Sequence, residues 1–151
     1  MKIKDLASYL EELAPLEYQE SYDNSGLLVG DEEREVTSVV ITLDCTEEVV
    51  EEAVQLGANL IIAHHPIVFS GLKRFNGSNY IERTVIKAIE NKVAIYAIHT
   101  NLDAVIKGVN AKIGSLLGLK NLTILQEKPG LVDVGAGMIG ELEEPMDEME
   151  F

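Results

Sequence analysis

Two clusters in this chain are best suited to chemistry: adjacent histidines followed by proline, His64-His65-Pro66, and the run His99-Thr100-Asn101-Leu102-Asp103. Imidazole and carboxylate together ligate zinc, manganese, iron or cobalt without selecting among them. In a regular strand, neighbouring side chains point to opposite sides, so two adjacent histidines rarely hold one ion. Where a strand gives way to a loop, the two can diverge and serve two neighbouring ions, with Asp103 assisting one. Pro66 stiffens that exit by fixing its own φ and restricting His65. His64, His65 and Asp103 are therefore the expected ligands of divalent metal. A histidine that follows a strand is more often a surface or core residue, and that reading stays open on these residues alone.

Around them stand residues with two readings each. Asp44 suits a helix entry, where its carboxylate would accept from backbone N–H groups, better than a site. His99 serves equally as a partner that orients a ligand or as a buried structural imidazole. Thr100 and Asn101 read as ordinary loop residues that could touch a ligand. Cys45, the single cysteine, reads as a small buried hydrophobe and not a nucleophile. Lys73 and Arg74 form a solvated basic pair that could also steer an anionic substrate. The glycines of Val134-Gly135-Ala136-Gly137-Met138-Ile139-Gly140 echo a dinucleotide loop, but no βαβ strand precedes them and acids follow.

The elements that must position these groups follow from hydrophobic patterning. Ile3, Leu6, Leu10 and Leu13 form a helical stripe that Pro15 closes. Tyr22-Asp23-Asn24-Ser25-Gly26 reads as a turn before a short strand, Leu27–Val29. Val36–Leu43 is β-branched and nearly continuous in apolar character, which predicts a strand buried on both faces. Thr46 is the expected N-cap of a helix that ends at Gly57. Leu60–Ala63 and Val93–Ile98 are two more buried strands, with a helix from about Tyr80 to Asn91 between them. A further helix, Val109–Leu117, stops at Gly118. Strands alternating with helices of this length predict an α/β fold, a parallel-sheet βαβ lobe. In such a sheet ligands bind outside the carboxyl ends of the strands, so Asp44, the histidine pair and the His99–Asp103 cluster should share one rim.

Bulk composition narrows the function classes. The chain has 151 residues, 46% hydrophobic and 25% charged, ordinary for one soluble domain. Its formal net charge of −14 repels phosphate backbones, which argues against a nucleic-acid surface. Seven acids and no base lie between Pro129 and Phe151, so much of that charge is terminal. No apolar run approaches the roughly 20 residues of a membrane span. One cysteine cannot form an internal disulfide, and the first residues lack a signal-peptide pattern. A cytoplasmic protein is expected.

Three motifs, YDNSGLLVG (Tyr22–Gly30), HHPIVFSGLK (His64–Lys73) and IHTNLDA (Ile98–Ala104), together resemble the GTP cyclohydrolase I type 2 homologues, also described as NGG-interacting-factor-three-like proteins. GVNAKIGSLLGL (Gly108–Leu119) is similar to the family's next helix. The resemblance implies a two-lobed α/β protein with a dinuclear metal centre, assembled as toroidal homo-hexamers. It matches His64 and His65 to ligands of different metals and Asp103 to a ligand of one of them. Tyr22 stands where the family usually has Trp. Family members continue into a second lobe that supplies another His and a bridging Glu, whereas no histidine follows His99 here. The expected division is thus an N-terminal metal-binding lobe, 1–126, and an acidic lead-in to a second lobe, 127–151.

The resulting expectation is a metal-dependent hydrolase in which a metal-coordinated hydroxide attacks a purine nucleotide or a related ring or amide. His99 or Asp44 would serve as partners of the ligands or as proton carriers. The alternative is a non-catalytic metal-binding oligomer that acts through protein partners, because no nucleophile or paired general acid is evident beyond the ligands.

Overall fold

Three short strands rich in valine, isoleucine and alanine, β2 (Val39–Thr42), β3 (Leu60–Ala63) and β4 (Ala94–Ala97), lie parallel in one sheet. β1 (Gly26–Val29) joins the outer side of β4 antiparallel, giving the order β1-β4-β3-β2. Helix α2 (Glu47–Gln55) returns the chain from β2 to β3, and α3 (Tyr80–Glu90) from β3 to β4. The side chains of Thr46 and Asn79 cap these helices by accepting from the Val49 and Glu82 amides. The architecture, a computed structural model describing residues 1–147 and Met149, is therefore the expected α/β lobe with a parallel core, made mixed by β1.

Register divides the sheet into two faces. Leu60 and Ile62 lie level with Ala94 and Tyr96 and pack against Ile3, Leu6 and Leu10 of α1 (Ile3–Leu13). Ile61, Ala63 and Ile95 point the other way, onto Val50 and Ala53 of α2 and Val85 and Ala88 of α3. The result is three layers, with the parallel strands in the middle.

The Val36–Leu43 segment departs from expectation. Its strand is the open edge of the sheet and is not buried on both faces; Ile41 is 81% exposed. Val39 and Ile41 lie level with Leu60 and Ile62, hence on the face that α1 covers. The cluster beneath α1 draws on β1, β3 and β4 but on no residue of β2, so one helix does not reach the fourth strand. β-branched content signals a strand but not its place in the sheet. Ile61→Ala, at a fully buried position, should cost about 2–5 kcal/mol. Ile41→Ala should stay within about 0.5 kcal/mol. Urea unfolding of both variants measures this, and equal losses would mean that Ile41 is covered.

Beyond β4 the chain turns at once into α4 (Thr100–Ala104) and then α5 (Val109–Leu116). Gly108 starts α5 so close to α4 that a Cβ there would meet the Leu102 carbonyl oxygen at 1.8 Å. A hairpin outside the sequence-based expectation follows, β5 (Lys120–Glu127) paired antiparallel with β6 (Gly135–Glu141). The glycine run is thus a strand and opens no helix. Glycine lowers strand propensity, which hid β6 from patterning, yet the pairing needs it: a Cβ on Gly135 would lie 2.0 Å from the Gln126 carbonyl oxygen. The hairpin is tied to α4 by a Val105–Val134 bridge and by the Ile106 amide, which donates to the Asp133 carbonyl at 3.1 Å.

Candidate metal centre

Parallel strands present their carboxyl ends on one side, and the ladder here continues just past them. The His64 and His65 amides donate to the carbonyls of Thr42 (3.1 Å) and Leu43 (2.9 Å), and the Ile98 amide to that of Ala63 (3.0 Å). Asp44, His64, His65 and His99 are thereby brought to one rim. Asp103 sits one helical turn after His99, its amide donating to the His99 carbonyl at 3.2 Å.

The three histidines of the chain form one cluster. Their ring centroids are 5.1, 5.2 and 5.5 Å apart, and one nitrogen from each lies within 4.8 Å of the others. Each Nδ1 is held by an oxygen: that of His64 by the Ile98 carbonyl (2.9 Å), His65 by Asp44 Oδ1 (2.8 Å), His99 by Asp23 Oδ1 (2.8 Å). Carbonyls and ionised carboxylates only accept, so each Nδ1 carries a hydrogen and Nε2 is the nitrogen left to meet an ion. Metal-ligating histidines are fixed in this way. Asp103 Oδ1 stands 3.8 Å from His64 Nε2.

These spacings suit the chemistry of the donor set. Zinc takes nitrogen and oxygen at about 2.0–2.2 Å, so two donors 3.8 Å apart can share an ion. Imidazole nitrogens up to 4.8 Å apart match either an ion pair roughly 3.5–4 Å apart or one ion after a small inward movement.

Asp23 is the residue that sequence reasoning passed over as a turn former. β1 runs antiparallel to β4 with Gly26 level with Ala97, so residues just before β1 meet residues just after β4. Asp23 therefore meets His99. Its side chain has no exposed surface and accepts from His99 Nδ1, the Thr100 amide (3.0 Å), the Thr100 hydroxyl, the Asn24 amide (2.7 Å) and the Ser25 hydroxyl (3.3 Å). Burial alone would raise its pKa, but the hydrogen bonds, that from His99 foremost, outweigh it and hold the carboxyl at about 2. Only its place in the YDNSG motif could have marked it, since 76 residues separate it from His99.

Other expectations change as well. Asp44 orients His65 and does not cap the helix, a role taken by Thr46. Asn101 is no ordinary loop residue: it is fully buried, accepts from the His99 amide (2.9 Å) and donates to the Ala14 carbonyl (2.7 Å), pinning the turn after β4. Cys45 lies in the core beneath α2 and α3, and burial pushes its thiol up to about 12, which removes it as a nucleophile. A cavity of about 830 Å³ opens beside α4, lined among others by Tyr22, Thr100, Asp103, Asn110, Lys128 and Ala136.

The chain is thus an α/β protein with imidazoles and carboxylates gathered outside the carboxyl ends of its parallel strands, a donor set that could hold a metal ion. The chain belongs to the family described as Duf34/NIF3 (NGG1p interacting factor 3), which matches residues 1–151. It is 37% identical over 151 residues to a GTP cyclohydrolase 1 type 2 homolog of Clostridium perfringens, covering 100% of this chain and 58% of the relative. A Staphylococcus aureus protein of the same name is 44% identical over 128 residues, 85% of this chain and 35% of its own. The crystal structure of a Staphylococcus aureus hypothetical protein superposes with a TM-score of 0.80 at 44% identity, over 85% of this chain and 42% of that one. Reduced HcgD from Methanocaldococcus jannaschii gives 0.76 at 31% identity, over 83% and 50%. The chain thus spans little over half the length of the curated clostridial relative. The resemblance carried by the three motifs is borne out. No helix among the described residues is long and apolar enough to cross a membrane.

Proposed function

We propose that this chain carries the ligand-bearing rim of a dinuclear hydrolase centre, similar to that expected of GTP cyclohydrolase 1 type 2 homologues, acting in the cytoplasm on a purine nucleotide or a related ring or amide. The observation that supports it is the tethering of three Nδ1 atoms to oxygen in rings that form one cluster, which leaves Nε2 of each ring as the nitrogen open to an ion or ligand. In this reading His64, His65 and Asp103 hold the metal. Asp44 and the Ile98 carbonyl fix the two ligand rings, and Asp103 offsets the charge of the ion. His99, oriented by Asp23, stands beside both ligands with Nε2 free to hydrogen-bond water or substrate. A divalent ion bound there lowers the pKa of water toward neutrality and polarises an acceptor oxygen. Residues from 127 onward lead, in the same reading, into a second lobe that completes the ligand set.

With zinc or manganese supplied, the protein carrying both lobes is expected to take up metal and to convert GTP to a formylated or ring-opened product, with loss of both on chelation. Liquid chromatography of the products and elemental analysis measure the two outcomes. Metal uptake without turnover across a nucleotide panel would sink the hydrolase and leave the second reading, a metal-binding homo-oligomer that acts through protein contacts. That reading draws on the open edge of β2, where Ile41 and Leu43 are 81% and 58% exposed. A hexamer by sedimentation would support such assembly in either case.

A further inference from the structure

Two aromatic rings stand at the metal-ligating rim without belonging to the core or to the ligand set. Tyr22 is 63% exposed and Phe69 is 47% exposed. Their centroids are 6.2 Å apart at 47°, and the Phe69 ring meets His99 edge-on at 6.5 Å. They come from different segments, Tyr22 from the turn before β1 and Phe69 from the loop that leaves His65-Pro66.

Both rings are held at their roots. Tyr22 precedes Asp23, whose buried carboxylate is gripped by hydrogen-bond donors on four residues. Phe69 follows Val68, whose carbonyl accepts from Asn24 Nδ2 at 2.6 Å, so one short hydrogen bond ties the two segments together. The rings are thus placed near one another, and each residue keeps about half or more of its surface in solvent. Leaving two aromatic residues so exposed forgoes the burial that stabilises such residues elsewhere in a fold. Tyr22 also lines the 830 Å³ cavity together with Thr100 and Asp103, so that ring, cavity and ligand share one mouth. Lys73 and Arg74 lie four and five residues beyond Phe69 on an exposed loop, and among the described residues neither forms an ion pair.

We propose that Tyr22 and Phe69 form a stacking wall that receives the planar heteroaromatic ring of the substrate, a purine base, beside the metal centre. Every base presents a π-face, and stacking on an aromatic side chain is tolerant of which base it is. The His99 edge and the Asp103 carboxylate then face the polar rim of the stacked ring, and the basic pair on the Phe69 loop suits its phosphate. The inference rests on the hydrolase reading above and adds the residues that would select the substrate.

The test uses the metal-free 151-residue protein, titrated calorimetrically with GMP, guanosine and ribose 5-phosphate. GMP and guanosine are expected to bind, and ribose 5-phosphate to bind at least roughly tenfold more weakly. Tyr22→Ala and Phe69→Ala should each lower GMP affinity roughly tenfold, whereas Tyr22→Phe and Tyr22→Trp should keep it. Zinc affinity should be the same in all four variants. Absence of GMP binding, as when a protein surface covers the rings, overturns the wall. So does equal affinity for ribose 5-phosphate, or an unchanged GMP affinity in Tyr22→Ala. An unmodified protein that binds GMP in this pattern but no zinc would instead sink the metal reading and leave the wall standing, whereas zinc binding lost in Tyr22→Ala or Phe69→Ala would make the rings supports of the metal site and overturn the wall.

Discussion

His64→Ala or His65→Ala is expected to lower zinc or manganese affinity by roughly 10²–10³-fold. Zinc held by a full set of protein ligands gains about 10–16 kcal/mol, so one of a few ligands carries roughly 3 kcal/mol. Asp103→Ala should fall at the lower end, because a charged oxygen 3.8 Å from His64 Nε2 is replaceable in part by water. The fold should survive each change: His65 and Asp103 keep 46% and 37% of their side-chain surface exposed, and His64 gives up a single hydrogen bond to the Ile98 carbonyl. Calorimetric titration with parallel thermal melts is the measurement. Unchanged affinity in both histidine variants would show that the metal, if bound, sits elsewhere. An equal loss in His99→Ala would make His99 a ligand and not a partner.

Asp23→Asn is expected to damage both stability and site although it changes one oxygen to an amide. All the partners of the Asp23 carboxylate are donors, and one oxygen takes the Thr100 amide while the other takes His99 Nδ1. An NH₂ group turned toward Thr100 can donate to the Thr100 or Ser25 hydroxyl but leaves the Thr100 N–H without its acceptor, at about 1–3 kcal/mol. Turned toward His99, it forces Nδ1 to accept and moves the ring hydrogen to Nε2, the wrong tautomer for ligand or acceptor. Turnover should then fall through the misplaced His99 ring, while metal affinity, carried by His64, His65 and Asp103, should stay within a few-fold, and a loss of affinity as large as in His65→Ala would make His99 a ligand.

Acid should expose the same group. A carboxyl whose pKa drops from 3.8 to about 2 on folding favours the native state once it is ionised. That stability is fully present above about pH 4 and is lost as pH falls through 2. Wild type should therefore lose about 2 kcal/mol over this window that Asp23→Asn does not. Urea unfolding of both proteins between pH 5 and 2 gives the difference directly, and parallel curves would mean that Asp23 is no better stabilised than an exposed carboxylate.

Much of this protein follows from local pattern. Apolar runs ending at Leu43, Ala63 and Ile98, with amphipathic stretches between them, were enough to place a parallel sheet and to send Asp44, His64, His65 and His99 to one rim. That works because strand and helix periods are written in consecutive residues, and because the carboxyl ends of parallel strands share a side. The hairpin was not legible, since β6 carries three glycines whose value lies in the closeness of β5 and not in any propensity. Nor was the exposure of Ile41: its residue type marks a strand, while the reach of α1 across the sheet decides which strands are covered.

Which carboxylate fixes which histidine was decided by tertiary structure. Asp44 meets His65 across 21 residues of sequence because β2 and β3 are neighbours in register. Asp23 meets His99 across 76 because β1 chose the far side of β4 and ran antiparallel to it. Strand order and direction are set by which faces α1, α2 and α3 can bury together, a sum over the whole core. A hydrogen bond between distant residues is a consequence of that sum, so sequence showed the imidazoles and a candidate partner in Asp44, and only the folded chain showed Asp23 and which ring each carboxylate holds.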